Sequence, residues 1–448
     1  MSNKLKEKDG LHMAQIANKA NFSANKPLAT YAAIYERIKD NTLEQIETFG
    51  LPLSSRNTEE ESANKLDELS LKGALVRNTG KSIVSNGRIS SACEACKTGT
   101  GSYTSFISLK CHRDCYFCFN KNQDDYSFYV QNQKNVNAEL ETLVSQGVEL
   151  THLALTGGEP LLHPDETLSF FRKAQLLVPE AHTRLYTAGD LLNEEILLGL
   201  KDAGLKEIRF SIKMEDSVQK QKHILGKIRL AKKYIPDVLV EMPVIPGTGE
   251  EMKELLIELD QIGIFGINLL EFCFPLENAE AFREKGFTLK NPPYQVYYSF
   301  WYAGGLAVDG SEALCHELVE FAIDQQLSLG VHYCSLENKF TGQIYQQNRN
   351  ENPGSTYRFS TQDFYFKTAK VFGRDRNKVR KILRNHQFPV VEDEHYDFLQ
   401  FPLDAIPFLK SREVEIAISS NVVEDGAIRE VGITVLKPQD YSMQGKEQ

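Results

Sequence analysis

Between residues 103 and 275, short β-branched or aromatic runs alternate with segments of helical period, repeating at roughly 30-residue intervals. Parallel strands need a crossover of a dozen or more residues, so this alternation predicts a parallel sheet whose strands are joined by helices. Six strands are expected, over 105–109, 153–156, 183–187, 207–212, 238–245 and 267–274. Helices are expected between them, over 136–146, 167–177, 194–203, 217–234 and 250–262. Pattern alone does not separate a curved, partly closed barrel from a doubly wound sheet.

The flanks differ in character. Residues 1–100 form an N-terminal extension with helices expected over 29–49 and 59–71, and its Gly-, Ser- and Asn-rich end, 80–101, carries Cys93-x-x-Cys96. The core is expected over 101–280. A helical extension over 281–345 ends in the dense run Val331-His332-Tyr333-Cys334-Ser335. A polar linker over 343–357 precedes a small α+β appendage, 355–448, with strands expected over 364–372, 413–419 and 430–436. A net charge of −10 supplies no basic field for nucleic acid, and the basic run 374–384 reads as the solvated face of a short helix. The N-terminus shows no apolar h-region, and no window approaches the run of about 20 apolar residues of a membrane span. A cytoplasmic location without membrane contact is therefore expected. In that reducing compartment clustered thiols bind metal or do redox chemistry more often than they form disulfides. Five of the eight cysteines fall between positions 93 and 118.

Cys111, Cys115 and Cys118 form a C-x3-C-x2-C array just after the first expected strand. Three thiolates on one loop can wrap a [4Fe–4S] cluster and leave one of its irons without a protein ligand. Such an open iron can chelate the amino and carboxylate groups of a methionine moiety. The alternative is a zinc knuckle that borrows a distant fourth Cys or His. At the end of the second strand stands Thr156-Gly157-Gly158-Glu159-Pro160. Its glycines permit close backbone approach, its carboxylate can accept from an ammonium, and strand C-termini are where βα sheets place ligands.

C-x3-C-x2-C after strand one, with GGEP after strand two, resembles the radical S-adenosylmethionine (radical SAM) superfamily. That resemblance implies a partial (β/α)6 TIM-like barrel, a [4Fe–4S] cluster on Cys111, Cys115 and Cys118, and S-adenosylmethionine (SAM) as co-substrate. It further implies that Phe117 packs near adenine and that Gly157, Gly158 and Glu159 receive the SAM amino group. Thr187, in a Tyr-Thr-Ala-Gly turn, would lie on the ribose side, and Ser211 and Lys213 would contact the ribose or the SAM carboxylate. Pro246-Gly247 resembles the loop that supports adenine. The chemistry implied is reductive cleavage of SAM to a 5′-deoxyadenosyl radical that abstracts hydrogen from a substrate, fed by a one-electron donor such as flavodoxin or ferredoxin. Over residues 90–340 the arrangement is also similar to a group related to the pyruvate formate-lyase activating enzyme.

Cys93, Cys96 and Cys334, with His332 nearby, form a candidate second metal or cluster site; the alternative is a free pair and a buried small residue. Cys273 and Cys315 read as core residues. The substrate is open among a peptide or protein, a small metabolite, and a glycyl-radical partner. A zinc-stapled protein without activity is the competing class.

Overall fold

The computed structural model describes residues 25–293 and 305–441. It divides into two compact units: one runs from Phe49 to Gln343, and the other joins the described residues up to Thr48 to those from Ile344 onward.

Helix α1 (Lys26–Thr48) belongs to the second unit. The larger unit begins with α2 (Glu59–Leu71), the strands β1 (Leu75–Arg77) and β2 (Ser82–Val84), and the short helix α3 (Ser91–Ala95). Strands β3 (Ser102–Phe106), β4 (His152–Thr156), β5 (His182–Thr187), β6 (Glu207–Phe210), β7 (Asp237–Val244) and β8 (Gly266–Glu271) follow. The helices between them are α4 (Tyr126–Gln131), α5 (Val136–Ser145), α6 (Pro164–Leu177), α7 (Glu194–Asp202), α8 (Val218–Ala231) and α9 (Gly249–Ile262). Beyond them come β9 (Cys273–Phe274), α10 (Ala279–Glu284), β10 (Leu306–Ala307), α11 (Ser311–Asp324), β11 (Gly330–Cys334) and α12 (Asn338–Asn348).

The sheet order is β1-β2-β11-β8-β7-β6-β5-β4-β3, with β3 to β8 parallel as expected. The run expected to close a helical stretch is instead a seventh parallel strand: β11 pairs with β8 from Gly330↔Gly266 to Cys334↔Leu270. The antiparallel β2 and β1 then extend the sheet with residues expected to be loop. Part of the helical extension expected over 281–345 lies outside the described residues, and α12 occupies part of the expected linker.

Alternation with period 2 sorts each strand's side chains between two environments. Leu153, Leu155, Ile208, Phe210, Val240 and Ile267 join the core formed with the helices. α6 shows how the helices meet it. Pro164 opens the helix, Asp165 and Glu166 complement its N-terminal dipole, and Phe170, Phe171 and Ala174 recur on the buried face. Each buried Phe contributes on the order of 2–3 kcal/mol.

The opposite face is buried yet polar, carrying Arg184, Glu207, Arg209, Asn268 and His332. A buried charge needs partners. Arg209 takes one from its own strand and one from β7, with Nε on Glu207 and Nη1 on Glu241 Oε2 at 2.5 Å. Burial pushes the Glu207 carboxyl up, but the Arg209 charge and donors from His182 and Ser90 bring it down to about 2.

His316 on α11 is 1% exposed, and burial lowers its pKa to about 4. A histidine held neutral in the fold favours the unfolded state once that state binds the proton. Its stability contribution is complete above the unfolded pKa of about 6.5 and is lost as pH falls toward 4. His316→Leu is expected to remove roughly 1.4 kcal/mol per pH unit from the slope of unfolding free energy across that window. Urea titrations at several pH values check this; equal slopes for the two proteins would refute it.

In the second unit β12 (Arg358–Phe359), β13 (Phe366–Phe372), α13 (Asp375–Asn385), β14 (Val391–Asp393), β15 (Phe398–Phe401), β16 (Ile416–Glu424) and β17 (Ala427–Leu436) build an antiparallel sheet with α1 and α13 against it. Tyr31 of α1 donates to Glu430 at 2.7 Å, and Lys370 donates to the Tyr31 hydroxyl at 2.9 Å. The basic run forms α13, which buries Val379 and Leu383 and directs Arg380 to Glu392.

Candidate functional site

The cysteine loop begins where β3 ends. Beyond Phe106 the ladder to β4 continues through irregular backbone: Gly158 N donates to Ser108 O at 3.1 Å and Glu159 N to Lys110 O at 2.9 Å. The glycines make this possible. A Cβ on Gly158 would lie 2.0 Å from Lys110 O, and one on Gly157, whose φ is +99°, 2.4 Å from the Phe106 Cβ. Close approach is required as expected, but the partner is the stem of the cysteine loop.

Past Lys110 the loop is held chiefly by side chains. Arg113 donates from Nε and Nη2 to both oxygens of Asp190, at 2.9 and 2.8 Å, and from Nη1 to Asp216 at 2.5 Å. These carboxylates sit in the turns after β5 and β6, so one guanidinium ties the loop to two strand ends. His112 lies 2.8 Å from Asp190 as well. Asn120 donates to Gly157 O, Asn122 to Pro275 O at 2.6 Å, and Asn278 to Tyr116 O at 3.3 Å. None of these anchors was expected from the sequence; Arg113 and Asn120 stand beside the cysteines, but their partners are far away in the chain.

All three thiols are free; Cys111 is exposed, and Cys115 and Cys118 are half-buried. Burial, and then neighbouring charges that include Cys115, push the thiols of Cys111 and Cys118 up. Lys213, in the stretch after β6, acts on Cys111 in the opposite direction. It is half-buried and pairs with no carboxylate among the described residues.

Residues 105–259 match the model of the radical SAM superfamily. The matched stretch takes in both the cysteine triplet and the Gly-Gly-Glu turn. It is 28% identical over 358 residues to a Methanocaldococcus jannaschii protein provisionally named a glycyl-radical enzyme activating enzyme, covering 75% of this chain and 89% of that one. It is 30% identical over 197 residues to the GTP 3′,8-cyclase of Microcystis aeruginosa, covering 40% of this chain and 58% of that one. Among solved structures, Streptococcus suis SuiB bound to S-adenosylmethionine aligns at a TM-score of 0.40 and 14% identity, over 69% of this chain and 62% of that one.

The radical SAM superfamily implies a [4Fe–4S] cluster and SAM, and the donor set here fits them. Three soft thiolates lie on one loop at the strand C-termini, reachable from solvent. Among the described residues no three His, Cys, Asp or Glu side chains converge on a single-ion position. Cluster thiolates each bind a separate iron and stand farther apart than thiolates sharing one zinc.

The remaining candidates divide. Phe117 is half-buried in an aromatic wall, its ring centroid 5.0 Å from Tyr116 and 5.5 Å from Phe272. Ser211 stands at the end of β6, its backbone N donating to Thr187 O at 3.1 Å. Gly247 closes β7 with φ +91°.

Glu159 and Thr187 stand together. Glu159, expected to receive a ligand ammonium, is 2% exposed. Its carboxylate accepts from Leu161 N at 3.0 Å, Thr187 Oγ1 at 2.8 Å and Ala188 N at 2.7 Å. It locks the end of β4 to that of β5, and the Thr187 hydroxyl is engaged in the same lock. His332, a suggested ligand of the second site, is also engaged: Nδ1 lies 2.9 Å from Asn268 Oδ1 and Nε2 2.9 Å from Ser82 Oγ. Cys273 and Cys315 are buried. No helix among the described residues is long and apolar enough to cross a membrane.

Proposed function

We propose that this enzyme cleaves SAM reductively at a [4Fe–4S] cluster held by Cys111, Cys115 and Cys118, and abstracts hydrogen from an organic substrate. The observation that carries the reading is the seating of three free thiols on one loop that Arg113 ties to the turns after β5 and β6. When bound, the cluster supplies the electron that breaks the S–C5′ bond of SAM, giving methionine and a 5′-deoxyadenosyl radical that takes the substrate hydrogen. The protein's own residues hold and shield. Arg113 fixes the loop, and the aromatic wall of Phe117, Tyr116, Phe272 and Phe282 gives adenine an apolar face and keeps water away. Lys213 is the cation available to the SAM carboxylate. Reducing equivalents come from a one-electron donor of the flavodoxin or ferredoxin type.

Anaerobic reconstitution followed by dithionite and SAM tests this. Equal yields of 5′-deoxyadenosine and methionine are expected; a fully loaded protein that leaves SAM intact would defeat the reading. Lys213→Ala is expected to weaken SAM binding by roughly 10- to 100-fold, the worth of a hydrogen bond to a charged group, with the cluster spectrum unchanged. An unaltered dissociation constant would remove Lys213 from the site.

A second reading, that the substrate is a glycine of a partner protein, is favoured by the name of the Methanocaldococcus jannaschii relative. Deuterium in the partner's glycine would then appear in 5′-deoxyadenosine; its absence would leave the substrate as another peptide or a metabolite.

A further inference from the structure

The polar lumen of the parallel sheet contains a second set of thiols far from the triplet in sequence. α3 projects into it. Ser90, its N-cap, donates to Glu207 Oε2 at 2.6 Å and accepts from Arg209 Nη2 at 3.1 Å, and Ser91 Oγ lies 3.3 Å from His152 Nε2. This places the Cys93 sulfur against the sheet, where it accepts from Asn268 Nδ2 at 3.3 Å and Arg209 Nη2 at 3.4 Å.

Asn268 is register partner to His332. Two residues further along β11, on the same face, stands Cys334, about 7 Å of strand away. Its sulfur accepts from Asn338 Nδ2 at 3.3 Å. One helical turn beyond Asn338 is Gly342, and a Cβ there would lie 2.6 Å from the carbonyl oxygen of Cys96. A closed chain of contacts thus runs from Cys93 through Asn268, His332, Cys334 and Asn338 to Gly342 and back to Cys96. Cys96 is exposed and Cys93 and Cys334 half-buried, so the set is open to solvent within the lumen.

We propose that Cys93, Cys96 and Cys334 hold a second iron–sulfur cluster inside the barrel. Three features favour a cluster over zinc. The donors are all thiols, and among the described residues no three His, Cys, Asp or Glu side chains stand close enough to share one ion, as a zinc site would require. His332 has both ring nitrogens occupied. Two of the sulfurs receive N–H donors, Cys93 from Arg209 and Asn268 and Cys334 from Asn338, the kind of bond that tunes iron–sulfur clusters. α12 links this set to the triplet loop: Lys339, next to Asn338, lies 5.4 Å over the ring of Phe119, the residue after Cys118.

Iron and sulfide analysis of the reconstituted full-length protein tests the proposal. Wild type is expected to bind roughly eight irons per chain, two [4Fe–4S] clusters. A variant with Cys111, Cys115 and Cys118 replaced by alanine leaves the lumen untouched and should keep about half that iron, with an electron paramagnetic resonance signal on reduction. Alanine at Cys93, Cys96 and Cys334 should also halve the iron, and leave SAM-responsive signal from the triplet. Wild type saturating at one cluster, a triplet variant without iron, or zinc recovered in that variant would each overturn the second centre without touching the first.

Discussion

Cys115→Ala is expected to abolish both cluster retention and 5′-deoxyadenosine formation while leaving the fold intact. With one thiolate gone, two protein ligands remain for four irons, and the metal affinity of the loop collapses. The fold has little to lose. Cys115 lies on a loop outside the sheet, and the contact it makes within the loop, accepting from Cys118 N at 3.1 Å, uses its backbone carbonyl, which alanine keeps. A change within about 0.5 kcal/mol in unfolding free energy is expected. Iron content, the product assay and a thermal melt of the apoprotein check the three parts separately. A variant that still cleaves SAM under dithionite would show that this triplet is not the cluster site.

Gly158→Ala should damage the same centre without touching a ligand. The added Cβ would meet Lys110 O at 2.0 Å, the Lys110 carbonyl carbon at 2.5 Å and the Leu109 carbonyl carbon at 2.7 Å, all backbone atoms without a flexible side chain to yield. The two hydrogen bonds that extend the ladder past β3 must open, displacing the stem of the cysteine loop. Overpacking and the lost bonds together cost roughly 2–5 kcal/mol. Iron content is expected to fall toward that of Cys115→Ala although all three cysteines remain. Full cluster loading in this variant, by iron analysis, would show that the loop can be seated without that close approach.

Much of the barrel could be read in the sequence, because strands of four to eight residues and helices of ten or more carry their periods. β4 was expected over 153–156 and spans His152–Thr156; α7 was expected over 194–203 and spans Glu194–Asp202. The failures have physical causes. β1 and β2 have three residues each, too few to show alternation, in a stretch rich in turn residues. β11 hid behind its own chemistry: His332 and Cys334 face the polar lumen and read as a ligand motif, while Val331 and Tyr333 face the core. The polar lumen itself left a trace, Glu207 and Arg209 at alternate positions of an otherwise apolar strand.

At the site, spacing exposed the triplet and the Gly-Gly-Glu turn but not what holds them. The partners of Arg113 lie 77 and 103 positions along the chain, and those of the Glu159 carboxylate include Thr187 and Ala188, 28 and 29 positions away. Residues that bind through partners one or two strands distant leave no local pattern. Glu159 could therefore be found as a landmark, while its duty as a lock between β4 and β5 emerged only from the fold.

Mössbauer spectroscopy of protein reconstituted with isotopically enriched iron, with Cys93, Cys96 and Cys334 replaced so that only the triplet can bind, addresses the open iron itself. One iron of the cluster should change its isomer shift and quadrupole splitting when SAM is added, while the other three, each on a cysteine, stay as they were. A cluster whose irons are all indifferent to SAM would contradict the assignment of Cys111, Cys115 and Cys118 as a three-ligand site that leaves one iron for the co-substrate.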